Sequence, residues 1–380
     1  MLARAGRSVV VLEARERVGG RCWTRRFPGL DVPVEMGAEF LHGRAAPTHA
    51  LLKRAGRKAI DSVRVQRGLQ GGRLAPINGF VEAQRATRGA RVDPDVSFEK
   101  FLAGRNLPEK TKTFARMMVE GFDAADPKRV SARSIVEEWG EGGELGLSQP
   151  RPQGGYGPLL DWLTHSIVQR GARVRLSSAV KKLRWQRGAV SANGVKAKRA
   201  IITLPVPLIG LKEKRAALRK LAIGPVIRVA LAFDAEFWRR RSPRTAFFHS
   251  PGAPFPTFWT PLPMRAPLLT CWAGGPKAAR LTGSSSKKLI EVALGSVSRV
   301  FGRLPPLMGA YVQDWQADPW SRGGYSYVLV GGEGAREELA APLKDTVFFA
   351  GEATDREESG TVSGALRSGQ RAAQEVLESF

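Results

Sequence analysis

The chain opens with a short apolar run, Ser8–Leu12, that ends at Glu13, the pattern of a buried strand. The residues before it, LARAG, read as the last turn of a helix closed by Gly6. Residues 47–57 begin with proline and end near glycine, which predicts a helix. Helical spacing in FARMMVEGF predicts another from Pro108 to about Asp123, and a third spans 131–139. GGYGPLLDWLTHSIVQRGARVRL reads as turn, helix, glycine stop and strand. AVKKLRWQ, GAVSANG and RAIITLP alternate around turn residues and predict a three-stranded meander. VIRVALAF and LLTCWA follow as strands, with a helix at about 285–301. The C-terminus predicts a strand (TVFFAG), a loop and a helix from about Thr361 to Leu377. Residues 59–107 carry turns at QGG, NGF and VDPD and no sustained period. GEGGELGLSQPRPQGG at 140–155 reads as a loop and a candidate domain boundary.

Composition narrows this picture. A length of 380 residues is enough for two domains, and 43% hydrophobic residues is ordinary for a globular chain. The net charge of +25 is not ordinary. It fits either an anionic partner or an arginine-rich solvated surface. The basic residues are scattered; the densest clusters, RRR at 239–241 and KAKR at 196–199, are short and lack interleaved aromatics. That argues against nucleic acid. The two cysteines, Cys22 and Cys271, form no CxxC, and the four histidines have no ligand spacing, so neither a disulfide framework nor a metal site is expected. AIITLPVPLIGL is too short and proline-rich to span a membrane, and the N-terminus is not a secretory signal. A cytoplasmic, reduced protein is expected.

Three motifs carry candidate chemistry. In VLEARERVGGR, Glu13 ends the strand where a dinucleotide-binding unit places a carboxylate that accepts from both ribose hydroxyls. The alternative is a solvated strand tip. Gly19 and Gly20 let the chain pass close to a ligand, and Arg21 is placed to reach a pyrophosphate. VFFAGEAT ends a buried strand at Gly351-Glu352, and GTVSGALRSG then opens a helix whose N-terminus suits electron-rich oxygens. An ordinary strand–loop–helix reads the same way. WQADPWSRGGY at 315–325 packs aromatics and glycines into one loop, as a substrate channel or as a core loop with buried tryptophan.

Taken in order, these motifs resemble the flavin-dependent amine oxidase family, which includes monoamine and polyamine oxidases, lysine-specific histone demethylases and L-amino-acid oxidases. GAEFLHG, AVKKLRW, IITLP and AFDAEFW extend the resemblance over nearly the whole chain. It implies an α/β fold with a Rossmann-like FAD-binding domain at 1–48, 151–221 and 312–380, and an inserted α+β substrate domain at 49–150 and 222–311. It also implies hydride transfer from an amine-bearing carbon to FAD, hydrolysis of the imine, and reoxidation by oxygen. Carried over to this chain, Glu13 would bind the ribose, with Arg15, Gly20 and Arg21 near the ribose and phosphates. Gly37, Ala38 and Glu39 would pass beside the flavin. Val180 would meet the adenine through its backbone, and Thr203 would lie near the cofactor. Gly351, Glu352, Thr361 and Val362 would hold the ribityl chain and ring. Trp315 and Tyr325 would stand at the substrate face.

Three departures shape the expectations. The family begins with a strand and a GxGxxG turn about thirty residues before the acidic strand end, whereas this sequence opens MLARAG. An N-terminally truncated cofactor domain with impaired FAD binding is therefore expected. Some relatives attach the flavin through a cysteine before the tyrosine of the GGxY loop; Gly324 stands there, so FAD should be non-covalent. A lysine that often holds water against the flavin is replaced by Arg228. The expected function is amine oxidation. The alternatives are an L-amino-acid oxidase or another FAD-dependent desaturating oxidoreductase of the same fold, and a non-catalytic basic remnant binding an anionic partner. The net charge further predicts poor activity on polycationic amines, unless local acidic groups override it.

Overall fold

The computed structural model describes residues 1–140 and 149–380, without the side chains of 79 and 80. Half of the candidate boundary loop at 140–155, residues 141–148, lies outside the described residues.

The largest layer is a seven-stranded sheet. Its order is Leu307–Asp314, Val226–Phe233, Leu268–Gly274, Thr257–Trp259, Phe247–His249, Gln66–Gln70 and Arg73–Pro76. All pairings are antiparallel except Phe247–His249 with Gln66–Gln70. Val226–Phe233 is buried at every position because both faces are covered. Ile227, Val229, Leu231 and Phe233 pack with Leu289, Ala293 and Val297 of the helix Ser286–Phe301. Ala230 and Ala232 of the opposite face pack on Phe27, Val34 and Met36. Alternation along the strand puts Val226 and Arg228 on that second face, toward the N-terminal segment. The expected boundary at residue 312 falls inside the strand Leu307–Asp314, all of which joins this sheet.

A helical cluster covers one end. Gly79–Thr87, Phe98–Ala103, Glu109–Gly121 and Ala132–Trp139 bury Phe98, Leu102, Met118, Ile135 and Trp139 together. Ser97 and Ser131 cap two of these helices by accepting from Lys100 N and Ser134 N.

The third part consists of small parallel ladders. Val10–Leu12 pairs with Arg173–Arg175, and Ala200–Ile202 pairs with Val347–Phe349. Arg184–Gln186, Ala189–Ala192 and Val195–Ala197 form the meander, with Asn193 and Gly194 both at positive φ in its turn. RAIITLP is therefore not its third strand. Its apolar run is instead the parallel partner of Val347–Phe349, which is buried throughout. The helix Val362–Glu378 lays Ala372 and Val376 against Phe348. The loop at 1–6 is a single turn, Leu2–Ala5, closed by Gly6 at φ 72°. No helix among the described residues is long and apolar enough to cross a membrane.

Candidate active site

Strand ends, glycine turns and one helix N-terminus converge on a cavity of about 1630 Å³. That exceeds the roughly 300–1,000 Å³ of common ligand pockets, so it has room for a cofactor and a second ligand. Every residue singled out from the motifs lines it except Val180, which is exposed on the loop after Arg173–Arg175.

Glu13 leaves the first strand with its backbone N–H still in the ladder, donating to Arg175 O. Its carboxylate accepts from Arg15 N at 2.8 Å. Arg15 reaches back over the aromatic loop: Nη1 and Nη2 donate to the two carboxylate oxygens of Asp318 at 2.8 and 2.7 Å, and Nη2 also donates to Ser321 Oγ. Arg15 is therefore a strut between segments more than a free phosphate ligand. Arg21 donates to Gly324 O and to Glu352 Oε1, the latter at 2.9 Å.

Glu352 ties four segments together. Besides Arg21, it accepts from Ser326 Oγ at 2.7 Å, Ser326 N and Gly360 N. Burial opposes its charge, but the nearby Arg21 and Arg336 hold its pKa below the usual carboxylate value. Thr361 caps the following helix: its hydroxyl accepts from Gly364 N at 3.0 Å and donates to Glu358 O at 2.7 Å.

Gly37 passes so close to Arg21 that a Cβ would sit 1.8 Å from the Arg21 carbonyl oxygen. Its own carbonyl accepts from Arg228 Nη1 at 2.7 Å. Arg228, 1% exposed, also donates to Glu39. Glu39 accepts further from Arg151 Nε at 2.7 Å and Trp259 Nε1 at 3.0 Å. Burial again opposes ionisation, and the Arg228 and Arg151 charges win, so the Glu39 pKa lies below the ordinary value. Arg228 thus carries a charge already answered within the protein.

Trp315 is 2% exposed and donates from Nε1 to Met36 O at 2.8 Å. Tyr325 donates from its hydroxyl to Phe122 O at 2.6 Å. Beyond them the cavity is walled by aromatics. Phe40 and Trp259 lie 5.8 Å apart, Trp259 and Trp272 5.9 Å, and His42 meets the Phe122 ring edge-on at 5.2 Å. Burial pushes both His42 and His249 down to about 4, so both imidazoles are uncharged at neutral pH. His42, Trp259 and Trp272 escaped the sequence reading because apolar spacing does not separate a cavity wall from a core. Asp123 and Glu138 escaped it because a lone carboxylate in a helix-end sequence reads as solvated.

The residues fit a dinucleotide cofactor. Gly20 (φ 56°) and Gly351 (φ 123°) face the cavity, and a Cβ on either would stand in open space. A carboxylate at a strand end and the N-terminus of a 17-residue helix line the same space. Such an arrangement defines an α/β dinucleotide-cofactor protein with an aromatic second compartment.

The chain belongs to the flavin containing amine oxidoreductases, whose family profile matches residues 1–377. It is 24% identical to lysine-specific histone demethylase 2 of Homo sapiens, over 98% of this chain and 50% of that protein. It is 26% identical to lysine-specific histone demethylase 1 homolog 3 of Arabidopsis thaliana but spans only 29% of that protein's length. Polyamine oxidase 4 of Oryza sativa is 25% identical, over 98% of this chain and 84% of its own. Putrescine oxidase bound to putrescine shares the fold with a TM-score of 0.84 at 20% identity, covering 99% of this chain and 95% of that one. Cyclohexylamine oxidase from Brevibacterium oxydans does so with a TM-score of 0.83 at 19% identity and the same coverage. The fold is the α/β, Rossmann-like FAD-binding architecture with an associated substrate region.

Proposed function

We propose that the chain oxidises an amine to an imine with non-covalently held FAD, and that oxygen takes the electrons. One observation carries this reading: a single cavity joins the glycine-lined groove at Glu13 and Gly20 to the aromatic compartment beside Trp315 and Tyr325. FAD, when bound, supplies the hydride acceptor. The chain's own residues supply the rest. Glu352, held ionised, and the N-terminus of Val362–Glu378 orient the polar chain of the cofactor. The aromatic walls position the amine-bearing carbon and exclude bulk water. The uncharged imidazoles place no fixed positive charge against a cationic substrate.

Two features support non-covalent binding. At Gly324 a Cβ would sit 2.5 Å from Val226 Cγ2, so the loop has no room for a thiol-bearing side chain. Cys22 lines the cavity, but burial first, with Glu35 adding, pushes its thiol up to about 12, so it stays protonated.

The test is spectroscopic. Purified protein should show flavin absorbance that bleaches on anaerobic addition of an amine and returns on admitting air. Acid denaturation should release the flavin into the supernatant. Bleaching by L-amino acids alone would favour the amino-acid oxidase alternative. A colourless protein with salt-sensitive nucleic-acid binding would favour the basic remnant.

A further inference from the structure

A second, much smaller pocket borders both the strand Val34–Glu35 and the central strand Val226–Phe233. Its volume of about 20 Å³ is room for one water molecule. Two buried side chains that line it each hold a polar atom without a hydrogen-bond partner: Glu35, 4% exposed, at Oε2, and Arg228, 1% exposed, at Nε. Glu39, Arg151 and Thr270 line the same pocket.

The hydrogen bonds already made decide what the pocket can take. Glu35 Oε1 accepts from Tyr156 N at 2.6 Å and from Thr24 Oγ1 at 2.8 Å, and Thr24 Oγ1 in turn accepts from Gly157 N at 2.7 Å. With Oε1 engaged twice as an acceptor, a proton on this carboxyl sits on Oε2. Arg228 gives Nη1 to Gly37 O and Nη2 to Glu39, which leaves Nε–H, a donor only. Two donors on one small pocket need an acceptor with two lone pairs. Arg228 repels a cation there, and the ionised Glu39 repels an anion. Water meets the need, and Glu39 and Thr270 offer oxygens for its own hydrogens. We propose that one buried water bridges Glu35 Oε2 and Arg228 Nε, so that Glu35 is a positioning residue for Arg228 and a proton-dependent counter-charge for the cluster of Arg228, Glu39 and Arg151.

The charges give the bridge a consequence. Two guanidinium groups, Arg228 and Arg151, share the single carboxylate of Glu39, so the cluster keeps one net positive charge. Burial outweighs the Tyr156 and Thr24 hydrogen bonds and the Arg228 charge, and Glu35 holds its proton up to about 7. The other titratable groups around Glu35 do not change state in this range. Burial pushes Cys22 up to about 12 and raises Tyr156 well above its ordinary value, while Glu39 stays ionised. Below neutrality the cluster is therefore positive. Above it Glu35 releases its proton to solvent, the water turns a hydrogen toward Oε2, and the positive charge is cancelled. Arg228 Nη1 carries that change to Gly37 O, beside the expected path of the flavin. The water and its proton stand independently of amine oxidation; their effect on the flavin rests on that reading.

The experiment reads the site first without the flavin. A high-resolution crystal structure of the wild-type chain should show one water within hydrogen-bond distance of both Glu35 Oε2 and Arg228 Nε; a dry pocket, or direct contact of the two side chains, overturns the bridge. Infrared spectra taken through neutral pH should show a carboxylic-acid C=O band that disappears on titration and is missing in Glu35→Gln. Arg228→Lys keeps the charge but loses the Nε donor, so it should raise the midpoint of that band by about one unit, a tenfold weaker acid. An unchanged midpoint in the folded variant overturns the bridge, and melting temperatures check folding; should the variant not fold, the wild-type crystal structure decides alone. The flavin-loaded chain is then poised against a dye of known potential. Near pH 8.5 Glu35→Gln, uncharged at every pH, should hold about tenfold more reduced flavin relative to oxidised than wild type does, and near pH 5.5 the two should agree. A chain with the water and the titrating band but no bound flavin keeps the site and removes the oxidase reading. A flavin whose balance follows pH identically in wild type and Glu35→Gln keeps that reading and removes the counter-charge.

Discussion

Arg228 stands where a lysine is common in the resembled family, and its surroundings explain what an arginine can do there. It makes two contacts at once, to Gly37 O and to Glu39, while its Nε has no partner. A lysine has one ammonium and cannot span both in the same way. Arg228→Met should cost about 3–5 kcal/mol in urea unfolding, because it removes a charge from a buried ion pair. Arg228→Lys should cost less and should speed reoxidation of the reduced flavin by oxygen, since the slimmer side chain leaves space for water at Gly37 O. Stopped-flow rates that are equal, or slower in the lysine variant, would show that Arg228 only packs and pairs. Glu35 makes a second residue-scale prediction. It accepts from Tyr156 N at 2.6 Å and Thr24 Oγ1 at 2.8 Å, its Oε2 has no partner, and burial raises its pKa from 4.5 to about 7. Between those values the unfolded chain has lost the proton and the folded chain keeps it. Raising the pH through this window therefore favours unfolding, by about 3 kcal/mol in all, and the loss is complete above the folded value. Glu35→Gln should flatten that decline in denaturation curves taken from pH 4.5 to 8.

At the scale of the element, the helix Val362–Glu378 depends on its first turn. Thr361 provides the cap, and Gly364 passes so close to Glu358 that a Cβ would meet the Glu358 carbonyl oxygen at 2.1 Å. Thr361→Val keeps the shape and removes the hydroxyl, so it should cost about 1 kcal/mol. It should also weaken flavin retention, because this helix end lines the cavity. Gly364→Ala should be more damaging, since the obstructing atom is backbone and must shift. Melting curves and flavin content on the same samples check both; a Thr361→Val protein with unchanged stability would mean that neighbouring groups already satisfy the helix end.

For the whole molecule, two properties have consequences that no single residue carries. The ladders Val10–Leu12 with Arg173–Arg175 and Ala200–Ile202 with Val347–Phe349 are separate two-stranded sheets. Each strand keeps one edge without a strand partner among the described residues, so these ladders open more readily than a strand flanked on both edges. Backbone amides of these ladders should therefore exchange hydrogen faster than those of Val226–Phe233, which is paired on both edges. Equal exchange rates would show that neighbouring loops already protect the ladder edges. The second property is the +25 charge, which repels a dication at long range. Added salt screens that long-range repulsion. kcat/KM for a diamine should therefore rise with ionic strength, more steeply than for the matched monoamine.

Much of the fold was legible because local patterns coincide with final burial. The helices at Glu109–Gly121, Ala132–Trp139, Gly157–Val168 and Ser286–Phe301 each carry their own spacing and terminal signals, and the eight-residue strand at 226 is apolar enough to be read directly. Glu13, Gly20, Gly351 and Thr361 were legible as candidates because Glu13, Gly351 and Thr361 flank elements and Gly20 sits in a turn, and the structure brings all four to one cavity. Other features were settled only by tertiary structure. RAIITLP leaves the meander for a parallel partner some 150 residues away, and an apolar run does not name its partner. Residues 66–76 form two strands whose place at the sheet edge depends on Phe247–His249. Arg15 and Arg228 look like ligand-binding cations in the sequence, and become struts once Asp318 and Glu39 are brought to them. Local propensity and burial are properties of nearby residues, whereas charge compensation and cavity shape depend on residues distant in the chain, so the sequence alone determined the elements and the folded chain decided which charges were left free.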